Sequence, residues 1–198
     1  MIAAAVTSSP RVLWYLTRGT GVVTLVLFTL TVTIGVANYK RFETSRIPRF
    51  VVDGVHRNAA LLSVTFLVIH IATTLLDGYV PIHLVDVVVP FGAAYKPLWL
   101  GFGAIAFDLL LAVALTSALR RRLGHRVWRG VHWAAYAAWP VALIHGLGMG
   151  TDRHAHWMLV LTGACVLIVA LAGLVRLTEP DARPSVPRVT RSRDRVAA

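Results

Sequence analysis

The chain has 198 residues, 57% hydrophobic and only 15% charged, with a formal net charge of +11. A soluble domain is nearer half apolar and a quarter charged, so the excess argues for membrane spans and against a soluble or nucleic-acid-binding domain. The single cysteine, Cys165, excludes an internal disulfide and any CxxC motif; its apolar surroundings suit a packing role.

The first residues, MIAAAVTSSPRV, lack a basic region followed at once by an apolar stretch, so the first apolar block is read as a retained helix rather than a cleaved signal. Five stretches approach the roughly 20 apolar residues that cross a bilayer. They are residues 19–38, 55–76, 98–119, 128–149 and 157–177. Trp14, Tyr15, Trp99 and Trp157 sit near their ends, as interfacial aromatics do. Residues 39–54 form a basic loop. Residues 77–97 hold an apolar run too short to span, expected as a short outer amphipathic or re-entrant segment. Residues 120–127, RRRLGHRV, are a tight basic turn, and residues 150–156 a short polar one. Residues 179–198 are rich in Pro and Arg, and a disordered tail resting on anionic headgroups is expected there. The expected architecture is an all-α integral membrane bundle of about five transmembrane helices over residues 1–178, followed by that tail; no internal repeat is visible. Sixteen of the 20 Lys and Arg residues fall on the side of the 39–54 and 120–127 loops and the tail. The positive-inside rule then puts the N-terminus outside and the C-terminus in the cytoplasm, in the cell membrane.

An ionisable side chain inside a span is costly and is a functional hypothesis by default. His56 and His70 lie 14 residues apart in the second span, and His132 and His145 lie 13 apart in the fourth. Both spans run outward, so His56 and His132 share an inner depth and His70 and His145 an outer one. Fourteen residues rise about 21 Å, too far for one ligand to bridge both histidines of a helix. Two b-type haems stacked across the membrane, each with two axial imidazoles, satisfy all four residues; a filled axial sphere suits electron transfer. Fourteen residues return to within about 40° of the starting face, whereas 13 miss by about 140°. Pro140, between His132 and His145, offers a kink that would re-aim half of the fourth helix. Membrane histidines bonded only to neighbouring helices are the bland alternative. His83, His125, His154 and His156 are read as surface residues, with His154 and His156 able to touch a metal weakly.

Residues 126–145, RVWRGVHWAAYAAWPVALIH, resemble the Trp-Arg-x-x-His-x-x-x-Tyr pattern of ferric reductase-like transmembrane domains, at Trp128, Arg129, His132 and Tyr136. Residues 56–70, HRNAALLSVTFLVIH, resemble the partner helix. The family includes eukaryotic ferric reductases, the membrane half of NADPH oxidases and the haem-binding subunit of the bacterial methionine sulfoxide reductase system. The resemblance implies electron flow from the cytoplasm to an external acceptor, ferric iron or a periplasmic redox protein. Ferric reductases and oxidases of the family carry a flavin and NADPH domain. This sequence shows no strand, Gly-rich loop and helix unit for a nicotinamide, and GLGMG at residues 146–150 is not one. A separate donor, a flavin reductase or a membrane quinol, is therefore expected, with quinone or flavin reached through that partner.

Haem propionates need cations near the interface. Arg57, Arg126 and Arg129 lie close to the inner ligands and Arg18 at the outer end of the first span; contact with lipid phosphate serves each equally well. Asp108, the sole acid well inside a span, could bond a ligand histidine or be capped by Thr or Ser. Two further readings stay open: a histidine-based proton or metal transporter, and a haem-free membrane anchor.

Overall fold

The computed structural model describes residues 10–39, 48–78 and 80–178. Lys40, Arg41, Arg46 and the basic tail over 179–198 lie outside the described residues, and so does the disorder expected of that tail. Among the described residues there is no strand. The helices are α1 (Pro10–Tyr39), α2 (Arg49–Leu76), α3 (Leu84–Val88), α4 (Pro97–Ala118), α5 (Arg120–Leu123), α6 (His125–His132), α7 (Ala134–Met149) and α8 (His156–Thr178).

Four of them are long and apolar enough to cross a membrane: Val12–Asn38 within α1, Phe50–Leu76 within α2, α4 and α8. Their outward faces carry Leu61, Val68, Leu115, Val160 and Leu167, all exposed, which is the pattern of a surface solvated by lipid. The chain is an all-α, multi-pass membrane protein. Polar residues inside α1 do not oppose this. The hydroxyls of Thr20, Thr24, Thr29, Thr31 and Thr33 each donate to the carbonyl four residues earlier, at 2.6–2.8 Å. Satisfying these donors within the helix removes most of the cost of placing them in hydrocarbon.

The fourth expected span departs from the sequence reading. It is not one helix over 128–149 but α6 and α7, broken at Trp133, and α7 has 16 residues. The break is a local tightening in which Tyr136 N–H donates to the Trp133 carbonyl, three residues back, at 3.1 Å. Trp133 keeps right-handed helical angles (φ −62°, ψ −24°), and Pro140 lies inside α7.

Helix α2 packs along α1, and α7 along α4; α1 also meets α7 and α8, so it sits at the centre of the bundle. There Phe28, Val32, Ala138, Trp139 and Cys165 close a buried core. The Trp139 indole N–H donates to Thr29 Oγ1 at 2.9 Å, tying α7 to α1. The outer connector forms the short α3, whose N-terminus is closed by His83 N–H donating to Asp86 Oδ2 at 2.8 Å. The basic turn becomes α5 and the start of α6, hinged on Gly124 at φ 78°, a left-handed conformation that glycine adopts without a Cβ clash.

Candidate functional site

Of the four histidines singled out in the sequence, His56 and His70 lie on α2, His132 ends α6 and His145 lies on α7. Three are held alike. His56 Nδ1 lies 3.1 Å from the Thr31 carbonyl, His70 Nδ1 2.8 Å from the Thr17 carbonyl, and His145 Nδ1 2.8 Å from the Trp99 carbonyl. A carbonyl only accepts, so each Nδ1 carries the proton and each Nε2 keeps its lone pair. These contacts also set the depths. Thr31 and His56 lie towards the Gly124 end of the molecule, and Thr17, His70, Trp99 and His145 towards the opposite end.

Each acceptor carbonyl is four residues before a glycine: Thr17 before Gly21, Thr31 before Gly35, Trp99 before Gly103. In a helix the carbonyl of residue i already accepts the amide of i+4, so a side chain at i+4 would cover its second lone pair. Glycine leaves it open. A Cβ at Gly103 would stand 2.6 Å from the His145 ring, at Gly21 3.0 Å from the His70 ring, and at Gly35 3.3 Å from the His56 ring. The glycines were missed in the sequence reading, although Gly21 and Gly35 repeat at the same 14-residue interval as His56 and His70.

His132 is held differently. Its Nδ1 is buried and has no hydrogen-bond partner among the described residues. Its ring lies 5.0 Å from Trp128 at 31°, and 6.3 Å from His56 at 66°. His132 lies beside His56, and His145 lies against Trp99 and Gly103 of α4.

The spacing of His56 and His132 is one that haem would require. Two imidazoles on one metal, each with a metal–nitrogen bond of about 2.0–2.1 Å, place their ring centres roughly 6.4 Å apart. His56 and His132 stand 6.3 Å apart. Among the described residues no group of three or more His, Cys, Asp or Glu forms a site for a bare ion. A pair is what a macrocyclic iron asks of a protein, since the tetrapyrrole fills the other four positions.

The remaining candidates separate clearly. Arg57, Arg126 and Arg129 are exposed. Arg18 pairs with Asp152 and lies 3.9 Å over the Trp14 ring, pinning α1 to the loop before α8. Asp108 is half-buried, and the Nδ1 atoms of His56, His70 and His145 bond backbone carbonyls instead of its carboxylate. Tyr136 of the motif accepts a hydrogen bond from Arg176 at 3.1 Å, and Arg176 also lies 4.5 Å over the Trp133 ring, joining α7 to α8 beside the break. His125 is exposed beside Trp128, and His154 accepts from the Arg153 guanidinium at 3.0 Å.

A family model described as ferric reductase like transmembrane component matches residues 20–143. The matched segment contains His56, His70 and His132 and stops two residues short of His145. Searches of curated proteins and of solved structures returned no match.

Proposed function

Because this chain belongs to the ferric reductase-like transmembrane family, we propose that its membrane electron-transfer role is that of a b-type cytochrome with two bis-histidine haems. The observation that carries the proposal is the facing of His56 and His132 at the separation two axial ligands require. His56 and His132 hold one haem, and His70 and His145 the other. When bound, the group supplies one-electron redox chemistry at each depth. The protein's own work is to fix three imidazole tautomers, exclude water with apolar helices, and set two ligand pairs about 21 Å apart along α2.

The end bearing Gly124 faces the cytoplasm by the positive-inside rule. There Arg57, Arg126 and Arg129 are exposed and would supply cations for haem propionates; at the other end Arg18 is paired with Asp152. With Arg120, Arg121 and Arg122 they form an exposed basic surface suited to steering an acidic flavin reductase; a membrane quinol is the other donor class. The acceptor, ferric iron or a periplasmic redox protein, lies on the far side. A proton relay would need both nitrogens of each ring to exchange, and three Nδ1 atoms are tied to carbonyls.

Pyridine haemochrome analysis of the purified protein tests this. Two haems b per chain are expected. His70→Ala and His145→Ala should each lose one haem, and His56→Ala and His132→Ala the other. A colourless wild type that rejects haem favours transport or a plain anchor, and four variants that all keep full haem overturn the ligand assignment.

A further inference from the structure

The architecture holds a repeat that residue identity conceals. On α1 the carbonyl–glycine cradles Thr17/Gly21 and Thr31/Gly35 serve two histidines of the antiparallel α2. On α4 the cradle Trp99/Gly103 serves His145 of the antiparallel α7. Thus α1–α2 and α4–α6–α7 are two versions of one helical hairpin. The α1 cradles are 14 residues apart, and the same step along α4 from Trp99 and Gly103 reaches Val113 and Ser117. Ser117 therefore occupies the glycine register of the fourth cradle, the one that would serve His132.

That cradle has been replaced. His132 Nδ1 is buried without a partner among the described residues. Ser117 Oγ instead accepts the Trp128 indole N–H at 3.2 Å. Trp128 sits one turn before His132, its ring 5.0 Å from the imidazole.

We propose that Ser117 and Trp128 form one positioning unit for His132, the hydroxyl fixing the indole and the indole fixing the imidazole. The inference rests on the haem reading above. It has a chemical consequence. An N–H bonded to a carbonyl makes an imidazole a more basic ligand, whereas a ring contact orients it without that effect. The iron between His56 and His132 then has one polarised ligand, and the iron between His70 and His145 has two. The first is the easier to reduce on this account, and the two low-spin signals differ.

The test is electron paramagnetic resonance with redox titration on the purified holoprotein. Ser117→Ala and Trp128→Phe should each retain both haems and shift the g values of the signal that His56→Ala abolishes. The double variant should shift them no further, because both changes remove one bond. Ser117→Thr should restore the wild-type signal. The signal abolished by His70→Ala should stay constant throughout, reporting an intact fold. Equal shifts in both signals, additive shifts in the double variant, or no shift in either single variant overturn the proposal. A wild type with no haem on His56 and His132 defeats the haem reading itself, before any variant is made.

Discussion

Gly103 leaves no room for a methyl group beside His145, and this makes glycines the sharpest probes of the site. Adding a Cβ where the neighbour cannot yield costs about 1–3 kcal/mol, or roughly 5- to 150-fold in affinity. The separations to the histidine rings, 2.6 Å at Gly103, 3.0 Å at Gly21 and 3.3 Å at Gly35, rank the damage. Gly103→Ala should lose most of the haem held by His145, Gly21→Ala less of the same haem, and Gly35→Ala little of the other. Gly19 and Gly146 have open space where a Cβ would go, so Gly19→Ala and Gly146→Ala should bind haem as the wild type does. Haem content after purification checks the series; a loss in Gly146→Ala equal to that in Gly103→Ala would contradict it.

Among the elements, α7 is tied to α1 by a hydrogen bond between side chains in the core. Trp139 lies in the core and donates to Thr29 Oγ1 on α1. Interhelical hydrogen bonds in membranes average about 0.6 kcal/mol and reach about 1.7 kcal/mol. Trp139→Phe keeps most of the ring volume and should destabilise the solubilised protein by that amount. Trp139→Ala adds a core cavity and should cost about 3–5 kcal/mol. Thermal unfolding in detergent separates the two, and equal losses would mean that the hydrogen bond, not the packing, carries the contact. The break between α6 and α7 belongs to this scale as well. Pro140 is the visible helix breaker, yet the hydrogen bonding tightens at Trp133, where Arg176 from α8 lies over the ring. No local propensity marks Trp133, because its surroundings come from a helix more than 40 residues away in the chain.

For the whole molecule, the orientation proposed from the basic loops can be tested by labelling. Cys165 is buried, so the native thiol is shielded from impermeant reagents. Thr151→Cys should react with such a reagent in intact cells, and Leu123→Cys only after permeabilisation. The reverse pattern would invert the assignment and exchange the inner and outer histidine pairs.

The chain alone determined four of the five expected spans, and it made the histidine pairs an expectation. Hydrophobic length is a local property, and the depth of His56, His70, His132 and His145 follows from rise per residue along two helices running the same way. It also carried Trp128, Arg129 and Tyr136, whose spacing resembles a family pattern. Tertiary structure decided how the histidines are aimed. A carbonyl on a neighbouring helix has no sequence signature, since every residue has one; only packing picks Thr17, Thr31 and Trp99. The same holds for Asp108, a candidate partner by chemistry that the fold leaves on another face of α4 from Gly103. The meeting of His132 with His56 likewise came from packing, which brings two rings from different helices to 6.3 Å.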